Sequence, residues 1–67
     1  MHMRVKLKEI IEERGLTQSK ISEMTGIRQA AISEIVNNRR DTINKAQLET
    51  ICKALEIRDF NEILEWD

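Results

Sequence analysis

The sequence predicts a small all-α domain of five helices, and three observations predict it. Apolar residues recur at helical rather than alternating spacing, as in Leu7, Ile10 and Ile11 and again in Leu48, Ile51, Cys52 and Leu55. Aromatic residues are 3% of the chain and proline is absent, a composition poor in the residues that strands favour. Glycine occurs only at positions 15 and 26, each just beyond an apolar-periodic run, where a helix ends most cheaply. At 67 residues the chain is read as one domain, residues 1–67, near the lower size limit for a single core.

Each element follows from local signals. Leu7, Ile10, Ile11 and Arg14 share one face, and Gly15 stops the run, so the first helix is expected over residues 4–14. Thr17 is an N-cap for a second helix that carries Ile21 and Met24 and ends at Gly26. A third helix restarts near Arg28 with Ile32 and Ile35 inward. The polar run from Asn37 to Asp41 is a loop. Asn44 caps the fourth helix, with Gln47 in the capping-box position and Ile43 and Leu48 placed for a hydrophobic staple. Asp59, with Glu62 three residues on, opens a short fifth helix that turns Phe60, Ile63 and Leu64 toward the core.

A helix stopped at Gly26 and restarted two residues later makes a helix-turn-helix unit, residues 17–37, whose corner requires a residue tolerant of positive φ. Ser22 and Ala31 are small enough for the crossing, and Ile21, Ile27, Ile32 and Ile35 point back to the body. Arg28, Gln29, Ala30, Ser33, Glu34 and Asn37 then remain outward on the second helix of the pair. Arg and Gln are side chains that read base edges in the major groove, and Glu accepts from cytosine N4. Charge supports that placement. The formal net charge is −1, but residues 14–45 carry six basic against three acidic groups, whereas residues 46–67 carry two against six. One face is thus suited to phosphates and another is not.

Composition also removes function classes. One cysteine and one histidine, the latter in a Met1-His2-Met3 start that reads as an expression remnant, supply neither an intramolecular disulfide nor a zinc set. No glycine-rich phosphate loop and no Ser/His/Asp or Cys/His set is present, so an enzyme is not expected, and neither is a cofactor, metal or small-molecule ligand. No apolar run reaches the roughly 18 residues of a membrane span and no signal peptide opens the chain, so a cytoplasmic location is expected. Cys52, inward on the fourth helix, is read as a small core hydrophobe.

From Leu16 to Leu55, the stretches "LTQSKIS", "TGIRQAAISEI" and "ICKAL" resemble the DNA-binding domain of the Cro and lambda-repressor family, also called XRE-type regulators. The tail "ICKALEIRDFNEILEW" is similar to that of short bacterial members, and the resemblance covers about 60 of the 67 residues. It implies a compact five-helix, lambda-repressor-like fold and a sequence-specific transcriptional regulator. The recognition helix, residues 28–37, would lie in the major groove of double-stranded DNA. The resemblance also makes Gln18 a phosphate contact at the second helix's N-terminus, where the helix dipole favours an anion. Asn38, Arg39, Arg40, Asn44 and Lys45 would approach the backbone from the loop and the start of the fourth helix.

The chain departs from the family at two places. Arg28 stands where many relatives carry Ser or Thr, so the recognition helix lacks a capping hydroxyl. Ile11 and Val36 stand where phage repressors place an Arg–Glu pair, and an apolar pair is expected to pack there instead, sparing two charges their desolvation. Such domains act on two half-sites, which requires a homodimer. Phe60, Ile63, Leu64 and Trp66 are more apolar surface than one core edge needs, and part of it is expected to form the two-fold interface. The competing reading is an antitoxin-like or adaptor module that keeps the fold but binds a protein, favoured by the acidic tail and Glu34.

Overall fold

A computed structural model of the protein describes residues 2–39, residue 42 and residues 44–66. In chain order its elements are strand β1 (Met3–Val5), helices α1 (Leu7–Arg14), α2 (Gln18–Thr25), α3 (Gln29–Val36) and α4 (Lys45–Ala54), a 3-10 turn (Phe60–Glu62) and strand β2 (Leu64–Trp66). The protein is all-α in class, with four helices around one core and a small two-stranded ribbon joining the ends of the chain.

The helix boundaries follow the local chemistry. Thr17 caps α2 by accepting the Lys20 N–H on its hydroxyl at 3.0 Å, and Asn44 caps α4 by accepting the Gln47 N–H at 3.0 Å. The returning half of the expected capping box is not made among the described residues: the Gln47 Oε1 is buried without a partner. The Ile43 staple lies outside the described residues. At the other end of α1, Gly15 (φ 66) takes the left-handed conformation, so its N–H reaches the Glu12 carbonyl and the Leu16 N–H the Ile11 carbonyl. Gly26 (φ 75) ends α2 by donating to the Ser22 carbonyl at 2.8 Å.

Among the described residues thirteen buried apolar side chains form the core, with Leu7, Ile21, Ile32, Ile51 and Ile63 having no exposed surface. Leu16, Ile27, Ile35 and Leu64 pack against it, half-buried. Ile11 and Val36 are both buried members of this cluster, and α1 packs on α3. Cys52 is buried among them, and burial pushes its thiol above the usual range, with the Glu62 charge adding to the effect. Arg14, exposed in the last turn of α1, donates its guanidinium to the Leu55 carbonyl at the end of α4, 2.7 Å away.

Two expectations need correction, one at each end of the chain. The first helix starts at Leu7, not residue 4, because Met3–Val5 pair antiparallel with Leu64–Trp66 in the register Met3↔Trp66, Arg4↔Glu65, Val5↔Leu64. The fifth helix is only the 3-10 turn. Asp59 does cap it, accepting the Asn61 N–H at 2.9 Å, but a few residues cannot repay helix nucleation when strand partners are available. The Lys6 N–H then donates to the Ile63 carbonyl at 2.6 Å and continues the ladder. Arg4 fastens the ribbon to α1, donating to Glu9 at 2.7 Å and also to Glu65, its cross-strand neighbour. Those two hydrogen bonds, Glu9's first, raise the Arg4 pKa, and Arg4 in turn holds the Glu9 carboxyl below its usual range.

Candidate nucleic-acid interface

The turn between α2 and α3 is held by side chains that the sequence places at its corner. Thr25 donates its hydroxyl to the Ile21 carbonyl at 2.7 Å and accepts the Ile27 N–H at 3.2 Å, while Ser22 donates to the Ile27 carbonyl. Ser22 is therefore more than a small residue at a crossing: it fixes the linker that aims α3. Across that linker α2 and α3 pack on each other, and Ile32 and Val36 seat α3 in the core.

What α3 leaves outside is polar apart from Ala30. Arg28, Gln29, Ala30 and Asn37 are exposed, and Ser33 and Glu34 are half-buried. Arg28 precedes the first turn without capping it by a side-chain hydrogen bond, as the missing Ser or Thr implies. Asn37 turns its amide back onto the helix, donating to the Ser33 carbonyl at 2.9 Å and lying 3.4 Å from the Ser33 hydroxyl, so these two side chains form one local unit. Gln18 opens α2 half-buried, and Arg39, Asn44 and Lys45 are exposed after α3 and at the start of α4. Arg40 lies outside the described residues.

Asn38 stands apart. It adopts φ 52, its side-chain oxygen accepts the Val5 N–H at 2.7 Å, and its amide donates to the Val5 carbonyl at 3.0 Å. Its side chain is thus committed to β1, a role that position in a polar loop did not signal.

A second surface lies at the ribbon. Phe60 (56% exposed), Trp66 (63%) and Met3 (44%) present apolar side chains to solvent and, with Leu64, line a shallow groove with Lys6, Asn61 and Glu65. Ile63 does not belong to it. That residue has no exposed surface and closes the protomer's own core, so it is withdrawn from the interface set. Met3 joins this surface only through its pairing with Trp66, 63 positions later, which no local pattern signals.

Among the described residues, no helix is long and apolar enough to cross a membrane. A family model described as the Cro/C1-type HTH DNA-binding domain matches residues 6–67. No curated protein and no solved structure matches the chain.

Proposed function

The chain belongs to the Cro/C1-type helix-turn-helix family of DNA-binding domains, and from that premise we propose that it regulates transcription by reading a specific duplex sequence with helix α3 in the major groove. The observation that carries this reading is the two-sided character of α3. Ile32 and Val36 anchor one side, and the other offers Arg28, Gln29 and Ala30 to a groove, flanked by Ser33, Glu34 and Asn37. Gln29 is assigned to adenine N6 and N7, and Arg28 to guanine or to phosphate. Gln18 at the start of α2, Arg39 and Arg40 after α3, and Asn44 and Lys45 at the start of α4 are assigned to the phosphate backbone. A regulator of this kind works in the cytoplasm, where bacterial and phage DNA is found.

The test is binding to random duplex across a salt series, followed by selection of bound fragments from random DNA. Weak binding that declines steeply with salt, and enrichment of one sequence, are expected. An absence of binding even at low salt rejects this reading in favour of the protein-partner one.

The reading includes a homodimer that places two copies of α3 about one helical turn, roughly 34 Å, apart. Exposed Phe60, Trp66 and Met3 with half-buried Leu64 supply the apolar face for it. Light scattering at micromolar concentration is expected to give twice the protomer mass, and Trp66→Glu a monomer with unchanged helical circular dichroism. A wild-type chain that stays monomeric and binds operator DNA as single copies removes the dimer from the proposal.

A further inference from the structure

Each of the four described helices ends on a residue in the left-handed conformation, and at three of them this residue lets two backbone N–H groups fold back onto the last carbonyls. At α1 this residue is Gly15; at α3 it is Asn38 (φ 52) and at α4 Glu56 (φ 57). At α3 the Asn38 N–H donates to the Ile35 carbonyl at 3.2 Å and the Arg39 N–H to the Glu34 carbonyl at 3.0 Å. The main chain of Arg39 is thereby fixed to the end of α3. Glycine would meet the backbone requirement at position 38 with less strain. What asparagine adds is the pair of hydrogen bonds to both backbone groups of Val5, 33 positions earlier.

Val5 is suited to receive them. Successive residues of a strand direct their N–H and C=O groups to opposite edges. The Lys6 N–H points at β2, where it donates to the Ile63 carbonyl, so the N–H and C=O of Val5 face the opposite edge of β1. There the Asn38 amide stands where a third strand would stand, and satisfies both groups.

We infer that Asn38 is a positioning residue for DNA binding. Through Val5 it ties the C-terminal end of α3, and with it Arg39, to the β1–β2 ribbon, so Arg39 meets a phosphate with its main chain already ordered. Ordering in advance lowers the entropic cost of the contact. This rests on the DNA-binding reading above, and the experiment separates the two.

Asn38→Gly keeps the left-handed backbone and removes the amide. Asn38→Asp keeps an acceptor for the Val5 N–H and loses the donor to its carbonyl. Binding to random duplex is titrated over a salt series for the wild type, both variants, Arg39→Ala and the Asn38→Gly/Arg39→Ala double variant, at a temperature where each is folded by circular dichroism. Asn38→Gly is expected to weaken binding on the order of tenfold and to lower the salt slope by roughly one. In the Arg39→Ala background it should change neither, since the two then act on one contact. Asn38→Asp should fall between wild type and Asn38→Gly, and Val5 amide hydrogen exchange in the free protein should accelerate in the same order. Independent, additive losses from Asn38→Gly and Arg39→Ala, or wild-type affinity in Asn38→Gly, overturn the positioning role while leaving DNA binding intact. A wild-type chain that binds no duplex overturns the DNA reading and this inference with it.

Discussion

Ile32→Ala is expected to leave a large fraction of the molecules unfolded at physiological temperature. The side chain has no exposed surface and lies where α3 meets the core, so its loss removes transfer energy and opens a cavity that the short helices cannot close without shifting. Such truncations cost about 2–5 kcal/mol, and a domain of this size has about 3–5 kcal/mol to lose. Each kilocalorie lowers the midpoint by about 4–8 °C in domains this small. Met24→Ala is the control: Met24 keeps 41% of its surface exposed, and the loss should stay under about 1 kcal/mol. Thermal melts followed by far-ultraviolet circular dichroism compare the two. Equal midpoints for both variants would mean that α3 is not seated through Ile32, and the rigid presentation of its outer face would have no support.

Gln29→Ala and Arg39→Ala are expected to fail in opposite ways. Gln29 is exposed in the first turn of α3, where a bidentate pair with adenine N6 and N7 discriminates one base by about 1–3 kcal/mol. Its removal should flatten preference at one operator position and leave binding to random duplex nearly unchanged. Arg39 follows α3 on an exposed segment, and a phosphate contact carries no sequence information. Arg39→Ala should therefore weaken all duplexes alike and reduce the salt slope by about 0.9. Titration of selected and random duplexes at several salt concentrations distinguishes the patterns. If Arg39→Ala altered the preferred sequence while Gln29→Ala did not, the reading element would be the segment after α3 and not the helix.

How far the site was legible from sequence depended on how far its causes reach along the chain. Thr17, Gly26 and Asn44 act within four residues of themselves, and each ends or begins a helix as its chemistry requires. Asn38 was legible as a polar loop residue and, through the family resemblance, as a contact to the DNA backbone, but not as a partner of Val5. Its hydrogen bonds run to Val5, and no local pattern announces a partner that distant. Ile63 and Trp66 were equally apolar in the sequence, yet one has no exposed surface and the other is 63% exposed, a difference set by the direction in which the ribbon turns them.

The sequence by itself determined the helix-turn-helix unit, the apolar and polar sides of α3, and the class of partner those sides suit. Its signals there are periodicity, caps and left-handed stops, whose energies are spent between near neighbours. The tertiary structure alone decided the fate of the two chain ends. Three residues at Met3–Val5 and three at Leu64–Trp66 have no conformation worth holding singly; each becomes a strand because the other is there to accept its hydrogen bonds. That pairing cut the fifth helix down to a 3-10 turn followed by a strand, brought Met3 beside Trp66 and gave Asn38 an edge to close, all from contacts between residues too far apart in sequence for any local pattern to register.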